Sequence, residues 1–292
     1  MKQISRKIIL LFFLIVLISL FPKIKQNNLN IKPNDSLEIT NEALIFLGDT
    51  GTGDGTQYKV GQAIKNYCLT NNCRAVILMG DIIYNQGVSS INDKQFIDKF
   101  EKPYREVNLP FYISYGNHDY LGCTVCYLDY SSKSSKWIMT APYYKLSFDN
   151  ADIFIIDTEK FSQIQANWLK DGIDKSRATF KIVTGHRPII TYESTHAGEK
   201  WTGMDLLEKI ICQKVDYYIS GHSHLLEDVG RIGRCKTIQL VSGGGGAFPR
   251  KINPENKDQF YFEGNGFLSL VITKNLISTE FIDKEGNIIF RN

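Results

Sequence analysis

The sequence predicts an α/β sandwich, and three observations predict it. Five short apolar, β-branched runs each end in glycine and a polar residue able to bind a metal: ALIFLGD (43–49), AVILMGD (75–81), FYISYGNHD (111–119), FKIVTGH (180–186) and VDYYISGHSH (215–224). Helical patterns separate the early runs, whereas TIQLVSG (237–243), FLSLVIT (267–273) and TEFID (279–283) follow one another as strands. The hydrophobicity within the runs is continuous rather than alternating, so both faces are buried and helices must cover the sheets. Ligand sites in open α/β sheets lie beyond the carboxyl ends of the strands, which is where each of the five runs turns polar.

The elements follow in order. Residues 1–26 read as a signal peptide or N-terminal membrane anchor: Lys2, Arg6 and Lys7 precede an apolar run from Ile8 to Phe21. That run is shorter than the roughly 20 residues of a comfortable span and suits a secretory signal core. No small-x-small cleavage site follows it, so an uncleaved anchor with snorkelling lysines stays open, and residues 8–21 are the candidate for membrane attachment. Residues 27–42 read as a linker, polar and without a period. The domain expected over 43–292 contains helical patterns at Lys59–Leu69, Asp93–Tyr104 and about Gly203–Cys212. Ser162 and Gln165 form a capping-box pattern ahead of a helix carrying Trp168, Leu169 and Ile173 on its apolar face, after the strand-like ADIFIIDT (151–158).

Composition narrows the function. The chain of 292 residues is 43% hydrophobic and 22% charged, which excludes a disordered, collagen-like or polytopic membrane protein. Its net charge of +3 comes from the N-terminus: without Lys2, Arg6, Lys7, Lys23 and Lys25, 29 bases face 31 acids. No basic surface for nucleic acid is evident. Six cysteines suit an exported protein and allow 15 pairings. Short separations favour Cys68–Cys73 and Cys123–Cys126, leaving Cys212–Cys235. The alternative is a zinc site on Cys123 and Cys126, which needs two further ligands, and no second CxxC exists.

The strand ends converge on metal chemistry. Asp49, Asp81, Asn117, His186, His222 and His224 offer oxygen and imidazole donors without thiolate, a mixture suited to iron, manganese or zinc. Four of the five histidines sit in these motifs. GDTGTGDG (48–55) lacks the lysine of a phosphate-binding P-loop and the acid spacing of an EF-hand.

The ordered series GDTG (48–51), GDIIY (80–84), GNHD (116–119), GH (185–186) and GHSH (221–224) resembles the calcineurin-like metallophosphoesterases. It is similar, more narrowly, to small purple acid phosphatases of the tartrate-resistant type, through GNHDYLG, Trp137 and PYYKLSF (142–148). The resemblance covers roughly 43–273 and implies the metallophosphoesterase sandwich, two mixed β-sheets flanked by helices (αββα). It implies two metal ions. Asp49, Asp81, Tyr84 and His224 would hold one, and Asp81, Asn117, His186 and His222 the other, with Asp81 bridging. The Tyr84 phenolate would select Fe(III), with Fe(II), Zn or Mn as its neighbour. The implied catalytic residues are His118, Asp119 orienting its ring, and His196 in TYESTHAGE (191–199).

The function expected is therefore an exported acid phosphatase hydrolysing phosphomonoesters by attack of a metal-bound hydroxide. Its partners would be small phosphate esters or phosphoproteins. A phosphodiesterase or nucleotide pyrophosphatase with the same centre is the alternative, and a non-catalytic surface metal-binding protein a remote one. Two departures from the animal enzymes stand out: GDTGTG replaces an aromatic-containing first motif, and only residues 158–167 separate Asp157 from Trp168, where those enzymes carry a long regulatory loop. The tract Ser242-Gly-Gly-Gly-Gly246 reads either as a close-packed turn near the metals or as a plain loop.

Overall fold

Two seven-stranded sheets pack face to face in the computed structural model, which describes residues 41–253 and 260–292. The first sheet runs β14 (Ile288–Arg291), β13 (Ile277–Asp283), β12 (Gly266–Ile272), β1 (Glu42–Leu47), β2 (Cys73–Met79), β3 (Phe111–Ser114) and β4 (Trp137–Ile138). The second runs β11 (Phe260–Phe262), β9 (Leu226–Arg231), β10 (Ile238–Ser242), β8 (Tyr217–Ser220), β7 (Phe180–Gly185), β6 (Ala151–Ile155) and β5 (Tyr144–Ser147). Both are mixed: β1–β2–β3–β4 pair in parallel and β1–β12 antiparallel, while β6–β7–β8–β10 are parallel and β10–β9 antiparallel. The helices are α1 (Gly55–Thr70), α2 (Thr124–Tyr130), α3 (Gln163–Lys175) and α4 (Met204–Ile211). This is the αββα sandwich expected.

The continuous hydrophobicity has a simple origin. On β6, Ala151, Ile153 and Ile155 join the core between the sheets, whereas Phe154 joins the core that α3 and α4 close from outside. Successive side chains point to opposite faces, and both faces are covered. Each such Ile or Phe contributes about 1.5–3 kcal/mol on burial.

Several elements differ from expectation for local reasons. Helix α1 begins four residues early because Asp54 caps it, accepting from the backbone N–H of Thr56 (2.9 Å) and Gln57 (3.2 Å). The stretch 93–104 contains a π-helical turn, Ile97–Glu101, with Lys102 N–H bonded to Ile97 O at 3.0 Å. Phe96, Phe100 and Tyr104 are all fully buried. Spaced by four, they would precess away from one face of a regular α-helix, and a wider turn brings them back. Only half of the capping box forms: Ser162 accepts from Gln165 N–H at 3.3 Å, while the Gln165 amide turns inward to the Asp157 backbone. Leu169 and Ile173 are buried and Trp168 partly so.

All three favoured disulfides are closed, Cys68–Cys73, Cys123–Cys126 and Cys212–Cys235, so the CxxC zinc alternative is set aside. β1 starts at Glu42, inside the expected linker, because Glu42 pairs with Ile272 across the sheet and its carboxylate meets Arg74 at 3.1 Å. The signal-or-anchor reading of 1–26, and the linker up to residue 40, lie outside the described residues. Membrane attachment is corrected: among the described residues no helix is long and apolar enough to cross a membrane, and residues 8–21 are not among them.

Candidate metal centre

The carboxyl ends of β1, β2 and β3 from one sheet meet those of β7 and β8 from the other, and each loop leaving them carries donors. Close backbone approach makes the meeting possible. A Cβ on Gly48 would lie 2.9 Å from Gly221 Cα, and one on Gly243, in the glycine tract, 2.0 Å from Ser223 O and 2.9 Å from Asp49 Oδ2. The tract is thus a close-packed turn against the site. Asp49, Asp81 and His222 adopt positive φ (59°, 52° and 67°), a conformation costing non-glycine residues about 1 kcal/mol or more each. Hydrogen bonds hold these turns: His222 N–H to Asp49 Oδ2 at 2.7 Å, Asp49 N–H to Gly80 O at 3.0 Å, and His118 N–H to Asp81 Oδ1 at 2.8 Å.

The donors form two adjoining groups. In the first, Tyr84 Oη lies 2.9 Å from Asp49 Oδ1 and 3.1 Å from His224 Nε2, which is 3.4 Å from Asp49 Oδ1. In the second, His186 Nε2 lies 3.1 Å from Asn117 Oδ1, 3.1 Å from His222 Nδ1 and 3.5 Å from Asp81 Oδ2. Asp49, Asp81 and His186 offer ligand atoms within 4.8 Å of one another, which places Asp81 where the groups join. Atoms sharing an ion at about 2.1 Å stand about 3.0–3.4 Å apart at octahedral to tetrahedral angles, so both sets of spacings fit a common cation.

Proton bookkeeping makes the fit stronger. His186 Nδ1 donates to Met79 O at 2.8 Å, His224 Nδ1 to Phe248 O at 3.1 Å, and His222 Nε2 to Glu199 Oε2 at 3.1 Å. Each ring thereby turns its other nitrogen inward, the arrangement by which outer hydrogen bonds orient metal-binding imidazoles. Burial lowers His222 to about 4, keeping it neutral. Burial opposes charge on His186 as well, yet the Asp81 carboxylate beside it pulls that imidazole up to about 10, a sign of how strongly this corner calls for a cation. Burial first, then Asp49 and Asp81, hold the Tyr84 phenol well above its ordinary value, so a phenolate here requires a strong Lewis acid. The residues present fit two metal ions.

The expected catalytic residues divide. His118 Nδ1 donates to Asn85 O at 2.6 Å, and its Nε2 stands 3.9 Å from Asp81 Oδ2. His118, Tyr84 and His224 line a cleft of about 440 Å³ with Lys99, Phe248 and Arg250. Asp119 does not orient the His118 ring, and that expectation is corrected. Its buried carboxylate accepts from the N–H groups of Ile82 (3.1 Å), Ile83 (3.2 Å) and Gly116 (2.9 Å) and from Tyr127 Oη (2.8 Å). It ties the loop after β2 to the loop after β3, and the Asn85 carbonyl takes over the ring. His196 reaches the site: its ring lies 4.0 Å from that of His222, Nδ1 is 2.7 Å from Glu199 Oε2, and Nε2 contacts Arg250.

Glu199 was missed in the sequence. It bonds His222, His196 and Arg187 together, and the hydrogen bond with His222 lowers it to about 2. The three-residue step from His196 was its only sequence signal.

Residues 43–226 match the family described as calcineurin-like phosphoesterase. Purple acid phosphatase 4 of Arabidopsis thaliana is 29% identical over 93% of this chain and 88% of its own, and purple acid phosphatase 7 of the same plant is 31% identical over 74% of each. Among solved structures, the one described as "GAP50 the anchor in the inner membrane complex of Plasmodium" superposes with a TM-score of 0.76 at 22% identity, covering 87% of this chain and 88% of that one, a likeness of fold. With a two-metal donor set on this sandwich and purple acid phosphatases among its relatives, the chain belongs to the calcineurin-like phosphoesterases and is a metal-dependent member of that family.

Proposed function

We propose that the protein is an exported acid phosphatase that hydrolyses phosphomonoesters with two metal ions, ferric iron in the group holding Tyr84 and ferrous iron, zinc or manganese in the other. His118 carries this reading. Its ring is fixed through Nδ1 to the Asn85 carbonyl, it lines the cleft beside Tyr84 and His224, and its Nε2 stands 3.9 Å from the Asp81 carboxylate where the two groups join, a position a mere metal store would not need. When bound, the ions would supply Lewis acidity, neutralising phosphoryl oxygens and lowering the pKa of water.

The chain's own groups do the rest. Asn85 keeps the His118 proton on Nδ1, so that in its imidazolium form Nε2–H is presented to the leaving oxygen. Water adds its oxygen to phosphorus, the ester P–O bond breaks, and the leaving oxygen takes the His118 proton. Arg250, which donates to His196 Nε2, lines the cleft and has further N–H groups to offer a phosphate, while His196 holds it from the His222 side of the centre. The closed disulfides support export, since such bonds persist in oxidising compartments.

A second reading, a phosphodiesterase, is favoured by the reach of the cleft as far as Phe248, which leaves room for a second ester substituent. The deciding measurement is kcat/KM on p-nitrophenyl phosphate against bis(p-nitrophenyl) phosphate at acid pH. The proposal expects at least about a tenfold preference for the monoester, because two cations would neutralise a monoester dianion more strongly than the single charge of a diester. A preference for the diester would replace it with the second reading, and turnover of neither would leave a metal-binding protein.

A further inference from the structure

We propose that the Cys123–Cys126 disulfide is a thiol-operated switch on catalysis: opening it by thiol–disulfide exchange loosens the backbone that holds His118, and reclosing it restores that hold. The inference rests on the phosphatase reading and adds to it a means of regulation.

The disulfide lies in the loop that leaves β3, shortly after His118, with Cys123 at the N-cap of α2. Backbone contacts connect it to the His118 anchor. Cys123 N–H donates to Val88 O at 2.7 Å and His118 Nδ1 donates to Asn85 O at 2.6 Å, so one short segment, 85–88, accepts both bonds. Between these bonds the two chain segments touch. A Cβ on Gly122 would lie 2.5 Å from Val88 O and 2.8 Å from Gln86 O, and one on Gly87 2.8 Å from Asp119 O and 3.2 Å from His118 O. Segments 85–88 and 118–123 are therefore coupled, and a displacement of Cys123 reaches the carbonyl that orients the His118 ring.

The disulfide is what fixes Cys123. Cys126 is buried in the core with Tyr127 and Tyr130, whereas Cys123 is only partly covered and the side chains of Leu121 and Val125 nearby are exposed. Cys123 supplies no side-chain cap to the short helix α2, so the bond to Cys126 does the fastening that a cap would do. Two thiol sulfurs stand farther apart than two bonded ones, and the packed core gives Cys126 little room, so Cys123 swings outward when the bond opens.

A thiolate from solution attacks Cys123 Sγ, the S–S bond breaks, and Cys126 Sγ leaves as a thiolate that takes a proton. A second thiol attacks the mixed disulfide, Cys123 Sγ leaves and is protonated, and the reductant departs as its own disulfide. The two cysteines are 3 apart in sequence, against 5 and 23 in the other pairs, so opening this bond returns the least chain entropy to the unfolded state and leaves the fold standing. The other pairs lie elsewhere. Cys68–Cys73 fastens α1 to the start of β2, the end away from the metal centre, and Cys212–Cys235 joins the end of α4 to the turn before β10.

The test uses the full, metal-loaded chain equilibrated with reduced and oxidised glutathione, free thiols being alkylated and located by mass spectrometry. As Cys123 and Cys126 open, kcat/KM on glycerol 2-phosphate should fall about 10- to 100-fold, the scale of a misplaced catalytic group. The fall on p-nitrophenyl phosphate, whose leaving group needs little protonation, should be several-fold smaller. Both metals should stay bound, and oxidised glutathione should restore the activity. Cys123→Ser/Cys126→Ser should show the low activity from the start and no response to thiol, whereas Cys68→Ser/Cys73→Ser should respond as wild type does. If the variant at 123 and 126 does not fold, wild type opened by glutathione and alkylated at Cys123 takes its place and should stay slow after reoxidation. Thiols also reduce ferric iron, so a thiol-induced loss shared by the variant at 123 and 126 would assign the effect to the metal and overturn the switch.

The His118 Nδ1–H signal gives a readout free of turnover. In zinc-loaded protein isotope-labelled at histidine, the bond to Asn85 O should protect this proton from exchange, and reduction should remove the protection. Unchanged turnover with Cys123 and Cys126 open, equal losses on the two substrates, or protection that persists would overturn the switch. Failure of the oxidised wild type to hydrolyse either substrate would instead overturn the phosphatase reading, while the His118 signal would still judge whether the disulfide holds that ring.

Discussion

Replacing Glu199 tests how the second metal group is held. Its Oε2 accepts from His222 Nε2 at 3.1 Å and from His196 Nδ1 at 2.7 Å, and its other oxygen meets Arg187. The bond from His222 fixes which ring nitrogen carries the proton and so which one faces Asp81, Asn117 and His186. A hydrogen bond to a charged acceptor contributes about 1.5–3 kcal/mol, which corresponds to about a 10- to 100-fold change in affinity. Glu199→Ala should therefore weaken metal binding in that group by about 10- to 100-fold and leave the Tyr84 group near its wild-type affinity. Glu199→Gln, which can still accept from His222, should fall between. The side chain is about one-third exposed, so little folding stability should be lost. Two-step titration against a chelator of known affinity reads both sites. Equal weakening of both metals, or no weakening of either, would refute the idea that Glu199 acts through His222.

Three further outcomes are expected. The iron-loaded protein should be pink to purple from phenolate-to-iron charge transfer, and Tyr84→Phe should lose the colour while keeping the fold; a colourless, fully active protein holding only zinc or manganese would reject the ferric assignment. His118→Ala should retain both metals and slow hydrolysis by roughly 10²–10⁴, more for alkyl phosphates than for p-nitrophenyl phosphate, whose leaving group needs little protonation; equal losses would remove the proton-donor role. Alkylation of the denatured, unreduced protein should label none of the six cysteines, as the three closed disulfides require, and four or more free thiols would contradict the oxidising compartment.

The donor set was legible because its signals are local. A buried strand, a glycine where backbones touch, and a donor immediately after it recur five times, and the two donor groups come together at those ends. What escaped was set by partners distant in sequence or by the backbone. Nothing in the sequence marks the Asn85 carbonyl as the anchor of His118, and proximity in sequence wrongly gave that role to Asp119. β9 (LEDVGR) reads as polar because Glu227 is buried yet satisfied, accepting from Thr191 Oγ1 (3.1 Å) and Tyr192 N–H (3.2 Å). The π turn at Ile97–Glu101 follows from three buried aromatic rings spaced by four, which only the packed core makes costly to misalign. β4, β5, β11 and β14 are two to four residues long, too short for a period to declare itself.

The central claim, a two-metal phosphomonoesterase, is tested most directly by titrating metal-stripped protein with ferric iron and zinc while following both bound metal and p-nitrophenyl phosphate hydrolysis at acid pH. The account predicts that activity appears only as the second equivalent per chain binds and that His222→Ala, which removes a donor to one group, stops at one tightly bound metal without turnover. Full activity at one equivalent, activity without metal, or two bound metals with no hydrolysis of the phosphomonoester would contradict it.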